Sequence, residues 1–425
     1  TRWQKLSERH SPSPEWFLNL VVWNSGIYGY KKNNTPEWFR RFNQILGDEG
    51  QISAYHWYAW QKDNRHDHNY PDYFPAQAGF KETVAEIRQD GVRSFPYQNI
   101  HLFDVQLPMW KELGAEQWVI RTKDGEMAHY PHIWDIAVPP EIAIYPGERR
   151  KMVQMCRGSK GWQDFVVEMY SRTVRDYSVD GLYLDELVNH PNLCYAANHD
   201  HASYGGNYHA KGACSMIRRI REESPNKDMA IIGENLCENY VGVIDGFLSG
   251  HSDVYDPWKG LPIFQSIFKD CTIEIGMYVM PDEALRMRTY TGKLAYNLIR
   301  GRQLGWHGRH DVDLLDPRCE PQLLFFKKLA RCRRQSLDFL LYGEFLRPVD
   351  AAVVSMHEDE WFNVLKSGVE KTMVPDVFAQ AYRAPNGDFG LVLVNVTVEA
   401  KQLSVPVNPR DWSLLPGETY QRRDY

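Results

Sequence analysis

The chain has 425 residues, 43% hydrophobic and 24% charged, which is enough apolar material for a large core and two domains. A formal net charge of −6 with no basic tract argues against a nucleic-acid partner. No run of about 18 apolar residues occurs, so nothing in the sequence reads as a membrane span.

The first residue is Thr1, so the N-terminus reads as processed or excised, and residues 1–14 are polar with two prolines and read as an arm or linker. From there, strand-like and helix-like segments alternate. Eight strands are expected: Phe17–Trp23, Ile52–Trp60, Val92–Tyr97, Gly181–Leu184, Ala230–Gly233, Gly246–Leu248, Thr272–Val279 and Gln303–Trp306. Amphipathic stripes separate several of them. Phe80, Val84 and Ile87 share one face ahead of Gly91; Trp162, Phe165, Val166, Met169, Tyr170, Val174 and Tyr177 make a longer stripe; Ala210, Ala213, Ile217 and Ile220 make another. Apolar strands alternating with helices predict a parallel sheet buried on both faces, and eight such units over residues 15–336 predict a (β/α)8 TIM barrel. No G-x-G-x-x-G opens a helix after the first strand, which argues against a dinucleotide-binding fold. The segments Gln61–Gly79 and Asn99–Lys160 follow the second and third strands. They read as long, aromatic-rich loops on the face where barrel active sites sit. Beyond a helix over Pro321–Arg334, short strands at Val353–Met356, Val377–Ala384, Phe389–Val398 and Gln402–Val407 predict a small C-terminal antiparallel β-sandwich over residues 337–425.

The chemistry is concentrated at two strand ends. Val179-Asp180-Gly181-Leu182-Tyr183-Leu184 stops on Asp185 and Glu186, and Met229-Ala230-Ile231-Ile232-Gly233 stops on Glu234. Asp185 and Glu234 are 49 positions apart, which leaves room for one loop, one helix and the next strand. In a parallel barrel, successive strand ends open into one cleft. A carboxylate pair there suits glycosidic hydrolysis: one acid attacks or stabilises the anomeric carbon and the other protonates the leaving oxygen. Separations of about 5–5.5 Å give retention and roughly 6.5–9.5 Å give inversion. Glu186 should face away from Asp185 if the strand continues, and Glu238 lies four residues beyond Glu234. Both are candidate substrate contacts.

The loop from His190 to His209 carries His199 and His201 around Asn198-His199-Asp200-His201, as candidate ligands for sugar hydroxyls. A His-x-His pair can also hold a metal, yet no cysteine or carboxylate spacing completes a known metal pattern, so none is assigned. Trp60, Tyr97, Trp258 and Trp306 stand at or just past strand ends, where a ring can stack on a sugar face or fill the core. The seven cysteines include no C-x-x-C pair and read mainly as buried free thiols, with room for one or two disulfides.

The stretch Gly181–Ser249 resembles a family of bacterial glycoside-hydrolase-like barrels known only as a domain of unknown function. The resemblance rests on Asp180-Gly181-Leu182-Tyr183-Leu184-Asp185, His199-Asp200-His201, Gly205-Gly206-Asn207, Glu234, Glu238 and Asp245-Gly246-Phe247-Leu248. It extends through Leu261-Pro262-Ile263-Phe264-Gln265, Gln303-Leu304-Gly305-Trp306 and Leu341-Tyr342-Gly343-Glu344-Phe345-Leu346-Arg347-Pro348. More distantly, an acid ending the fourth strand and a Glu ending the fifth are similar to the α-amylase superfamily and to endo-α-N-acetylgalactosaminidases. That similarity implies Asp185 as nucleophile and Glu234 as general acid/base with retention. Tyr183 stands where the α-amylase pattern has arginine, and no Asn-His-Asp marks the seventh strand.

The expected function is therefore glycoside hydrolysis of an oligosaccharide, polysaccharide or glycoconjugate, without a cofactor. A secreted or periplasmic location is favoured by that reading. Two alternatives stay open at this point: a non-catalytic carbohydrate-binding barrel, and a metal-dependent hydrolase using the His190–His209 loop.

Overall fold

A computed structural model describes residues 12–25, 36–47, 53–58, 60–61, 68–138, 146–188, 192–249, 262–269, 272–276, 279, 287–307, 313–347, 355–363 and 368–405. The strands in chain order are β1 (Val22–Ser25), β2 (Ser53–Trp57), β3 (Val92–Asn99), β4 (Leu102–Asp104), β5 (His129–Ala137), β6 (Arg149–Gln154), β7 (Gly181–Asp185), β8 (Ala230–Glu234), β9 (Gly246–Leu248), β10 (Ile273–Ile275) and β11 (Leu304–His307). They are followed by β12 (Glu344–Phe345), β13 (Met356–Asn363), β14 (Gly368–Pro375), β15 (Val377–Arg383) and β16 (Phe389–Asn395). Eight of them form one sheet in the order β10-β9-β8-β7-β3-β2-β1-β11. Val22 of β1 pairs in parallel with Leu304 of β11, and a parallel bridge from Ile275 to Gln303 joins the two ends. The fold is an α/β barrel of eight parallel strands. Among the described residues, no helix is long and apolar enough to cross a membrane.

All eight expected barrel strands have a counterpart, with two boundaries shifted substantially. The strand expected over Thr272–Val279 runs only from Ile273 to Ile275, and residues 52, 59 and 277–278 of the expected strands lie outside the described residues. Phe17–Trp23 opens with a helical turn, Glu15–Leu18, and the strand starts only at Val22. Pro14 precedes that turn and Glu15 sits at its positive end, a combination that favours helix over strand.

Two stretches fold differently from the sequence expectation. Asn99–Lys160, read as a loop, contains a three-stranded antiparallel sheet in the order β4-β6-β5. Its strands carry charged and aromatic residues such as Arg149-Arg150-Lys151, so apolar alternation does not announce them. Near the C-terminus, β13 and β14 pair along their whole length, with Met356 opposite Pro375 and Asn363 opposite Gly368. This ribbon is also charge-rich, and Lys371 bonds Glu358 across it at 2.8 Å. β12, β15 and β16 form a second antiparallel sheet, with Val377 opposite Asn395. β16 ends at Asn395, short of the expected Val398, and residues 402–405 of the expected Gln402–Val407 strand are not extended into a sheet. Residues 353–354 and 406–407 of the expected strands lie outside the described residues.

The chain divides into two compact units. One comprises Thr1–Tyr55, Asp90–Val92 and Asp245–Tyr425; the other comprises His56–Gln89 and Arg93–Ile244. In the first, Arg302 is buried against Glu274 at 2.9 Å, and Gln265 donates to the same carboxylate at 2.8 Å. In the second, Asp180 ties the start of β7 to its neighbours. Its carboxylate accepts from Arg88 Nε (2.9 Å), Arg93 (3.1 Å) and the Ser94 backbone N–H (2.9 Å). Gly181 is needed for space: a Cβ there would lie 2.1 Å from Phe95 Cε1. The Asp-Gly that opens this strand is therefore a packing device, and the acids at its other end remain to be explained.

Candidate active site

Register decides which side chains share the cleft. β7 and β8 pair Gly181 with Ala230 and Leu184 with Gly233, while β3 and β7 pair Asn99 with Asp185 and Tyr97 with Tyr183. Paired residues of a parallel sheet face one side, and every second residue along a strand returns to it. Asn99, Asp185 and Glu234 thus stand in one row at the C-terminal ends of β3, β7 and β8. Tyr97 and Tyr183 form the layer beneath them, with ring centroids 5.7 Å apart.

Asp185 is buried and firmly held. Its Oδ2 accepts from Tyr97 Oη at 2.5 Å and from Asn99 Nδ2 at 2.7 Å. Asn99 can turn only one way, because its Oδ1 already accepts the backbone N–H groups of His101 and Leu102, both at 2.8 Å. Tyr97 Oη in turn accepts from Tyr70 Oη at 2.9 Å, extending the chain of hydroxyls beneath the acid.

Glu234 is half-buried, and its Oε2 accepts the backbone N–H of Glu186 at 3.3 Å. The residue after each acid, Glu186 and Asn235, takes φ of +58°, in the left-handed region. Such a conformation costs a non-glycine residue about 1–2 kcal/mol. Glu186 bears that strain directly behind Asp185, whereas Asn235 behind Glu234 is a residue type that tolerates the conformation, and at both places the chain turns sharply away after the acid.

Glu186 does not simply point away from the row. The strand ends at Asp185, so strand alternation no longer governs the next residue, and Glu186 Oε1 accepts from Tyr130 Oη at 2.5 Å. Burial, and then the charges of Glu186, Asp185 and Glu234, push the Tyr130 phenol far above its ordinary range. Tyr130 therefore remains a hydrogen-bond donor at all working pH, within electrostatic reach of three carboxylates. The turn carrying Glu186 rests on Arg157, which is fully buried and donates to the backbone carbonyls of Leu187 (2.7 Å) and Glu186.

The other sequence candidates scatter. Trp60 is fully buried; its indole N–H donates to the Tyr97 carbonyl at 2.8 Å and its ring stacks on Tyr73, so it supports the site from the core and offers no face to a sugar. Tyr97 is likewise buried, serving Asp185 through its hydroxyl. Glu238 is exposed at the start of a short 3-10 turn, Glu238–Tyr240. Trp306 lies on β11, while Trp258 and His190 lie outside the described residues. His199 and His201 gather with Cys156 and Cys194, one donor atom of each lying within 4.8 Å of the others. The six described cysteines are all free thiols. Tyr130, Asn99, Tyr70 and Arg157 were not among the sequence candidates, and no local motif marks them.

The chain is similar to two curated relatives and to many solved structures. It is 27% identical over 354 residues to a Bacteroides thetaiotaomicron protein provisionally named a glycoside hydrolase, covering 82% of this chain and 49% of the relative. It is 23% identical over 327 residues to a similarly named Monosiga brevicollis protein, covering 72% of this chain and 27% of that one. The chain thus spans half or less of the length of these relatives. In structure it resembles the α-N-acetylgalactosaminidase NagBb of Bifidobacterium bifidum, with a TM-score of 0.56, 14% identity, and coverage of 89% of this chain and 58% of that one. It also resembles the trehalose-6-phosphate hydrolase of Bacillus licheniformis, with a TM-score of 0.56, 11% identity, and coverage of 90% and 91%. The structural likenesses establish the barrel fold. A family model matches residues 1–279, well over half of the sequence, and the chain therefore belongs to the family described as domain of unknown function DUF6259.

Proposed function

We propose that this chain carries the catalytic barrel of a retaining glycoside hydrolase, over residues 15–336, followed by an accessory antiparallel β region over residues 337–425. The observation that carries the reading is the row at the ends of β3, β7 and β8, where Asp185 is held by Tyr97 and Asn99 and Glu234 ends the adjacent strand. Asp185 attacks the anomeric carbon through Oδ1 while Glu234 gives its proton to the departing oxygen. The resulting glycosyl ester is then hydrolysed by water that Glu234 deprotonates. Glu186 and Tyr130 flank the pair as contacts for sugar hydroxyls, and the relatives' names support a glycan or glycoconjugate substrate.

A panel of aryl glycosides and natural glycans, followed by NMR of the first-formed product, tests the reading. Hydrolysis with the substrate's own anomeric configuration is expected. The opposite anomer would overturn the retaining assignment, and glycan binding without turnover of any substrate would favour a non-catalytic carbohydrate-binding barrel. On the active substrate, Tyr97→Phe should lower kcat about 10–100-fold, as expected for losing one hydrogen bond to a charged group, with KM little changed. Steady-state kinetics beside a thermal melt would show it. An unchanged kcat would mean that the short Tyr97–Asp185 bond does not serve the reaction.

A further inference from the structure

Four side chains converge away from the carboxylate row. Cys156 follows β6, whereas Cys194, His199 and His201 lie on the loop between β7 and the helix Tyr208–Glu223. One donor atom of each is within 4.8 Å of the other three. Cys156 Sγ is 3.2 Å from His201 Nε2, and Cys194 Sγ is 3.4 Å from His199 Nδ1. Around a tetrahedral zinc ion, bonds of about 2.3 Å to sulfur and 2.0–2.1 Å to nitrogen place neighbouring sulfur and nitrogen ligands roughly 3.6 Å apart. The two spacings are close to that edge.

The imidazoles are oriented for the same task. His199 Nε2 lies 2.8 Å from the Gln117 carbonyl oxygen, and His201 Nδ1 lies 2.8 Å from that of Ala202. A carbonyl only accepts, so each of these nitrogens carries the proton, and the opposite nitrogen turns its lone pair toward a cysteine sulfur. The two rings adopt opposite tautomers yet reach the same result. Histidine ligands of metals are held in this way, by a carbonyl on the far nitrogen. The sulfurs have matching support. Backbone N–H groups of Gly158 and Ser159 approach Cys156, and those of Ala196 and Arg121 approach Cys194. Ile120, Ala196 and Tyr208 wrap the sulfurs in apolar surface, and Tyr208 stacks on His201 at 3.9 Å. A Cβ on Gly158 would lie 2.3 Å from the His201 ring, so only glycine admits the ring there. Two independent S–H···N hydrogen bonds would explain each pair alone. They would orient the rings in the same way, but they would not require the two pairs to converge.

We propose that Cys156, Cys194, His199 and His201 form a tetrahedral zinc site whose role is structural. Two sulfur and two imidazole donors select zinc over magnesium, calcium or manganese. Four protein ligands leave no open position for an activated water, which separates this site from a metal-dependent hydrolase centre. The ion joins the segment after β6 to the loop after β7. The first belongs to the sheet that carries Tyr130, and the second begins at Glu186, so zinc fastens both sides of the Tyr130–Glu186 bond.

Zinc content decides the proposal independently of any glycosidase activity. Protein produced with zinc and without a polyhistidine tag should hold one zinc per chain by mass spectrometry. The cobalt(II)-substituted protein should show thiolate-to-cobalt charge transfer and the intense visible bands of tetrahedral cobalt. Cys194→Ser should weaken zinc binding about 100-fold or more, while His201→Cys, which keeps four suitable donors, and Cys237→Ser should retain one ion. Less than about 0.1 zinc per chain after zinc supply and dialysis, or a cobalt spectrum without sulfur charge transfer, would overturn it. So would a Cys156–Cys194 disulfide in the native protein. The cobalt measurement uses the unaltered chain and stands even if a variant fails to fold.

Discussion

Replacing Asp185 by Asn is expected to lower turnover of an activated aryl glycoside by about 10⁴-fold or more while the chain stays folded. The substitution keeps shape and removes the nucleophile. The amide that replaces the carboxylate could still accept from Tyr97 or Asn99 through its one oxygen, so the fall would report chemistry more than collapse. Glu234→Gln should behave differently, because it removes a proton donor. Its loss should be about 10²–10⁴-fold for a glycoside with a poor leaving group and much smaller for one whose leaving group departs unprotonated. Added azide separates the roles further. With Glu234→Ala it should take the place of the base-activated water and give a glycosyl azide of retained configuration. With Asp185→Gly it should attack directly and give the inverted azide. Equal losses for good and poor leaving groups in Glu234→Gln would remove that residue as the general acid. Near-normal turnover in Asp185→Asn would remove the nucleophile assignment.

The acids could be found from sequence because each ends an apolar strand that is short and uninterrupted. Gly181–Asp185 and Ala230–Glu234 are buried throughout except at the last residue of the second, so the change to carboxylate marks the end of the strand as well as the site. What holds the acids could not be found that way. Asn99 acts through a register, Tyr130 through a sheet whose strands carry no apolar alternation, and Arg157 through carbonyls of a turn thirty residues on. Each contact depends on long-range geometry, and neither residue type nor spacing announces it. The histidine loop failed for the same reason. His199 and His201 offered half of a metal site, and the other half includes Cys156, which lies on the far side of a helix and a barrel strand in the sequence. Ligand spacing identifies sites built on one hairpin or loop; a site assembled from two distant segments shows no such signature.

Acidification should destabilise the unit carrying the site well before its carboxylates titrate. Burial, then the neighbouring Arg157 guanidinium, pushes His101 down from 6.5 to about 3, and the same two causes in the same order push His209 still lower. Their rings lie 5.9 Å apart. Both histidines are neutral in the folded protein and become protonated on unfolding below about pH 6.5. Because the folded values are depressed, the stabilisation is present above pH 6.5 and is lost as pH falls toward the folded values. Each histidine should remove about 2 kcal/mol between pH 8 and pH 5, or about 4 kcal/mol together, at a limiting slope of about 2.7 kcal/mol per pH unit. Urea unfolding across that range would measure the slope. His209→Leu, which cannot titrate, should reduce it by about 1.4 kcal/mol per unit, and this difference isolates the histidine from every other group. No reduction would mean that His209 is already protonated, or exposed, in the folded chain. The route by which protonation acts also bears on function. A cation at either ring would face the buried Arg157, whose guanidinium holds the carbonyls of Glu186 and Leu187. Because both rings are still neutral in the folded chain at pH 5, that repulsion arises only once the region has opened, so protection of the amides around Glu186, corrected for the intrinsic exchange rate, should fall between pH 8 and pH 5 together with the global stability.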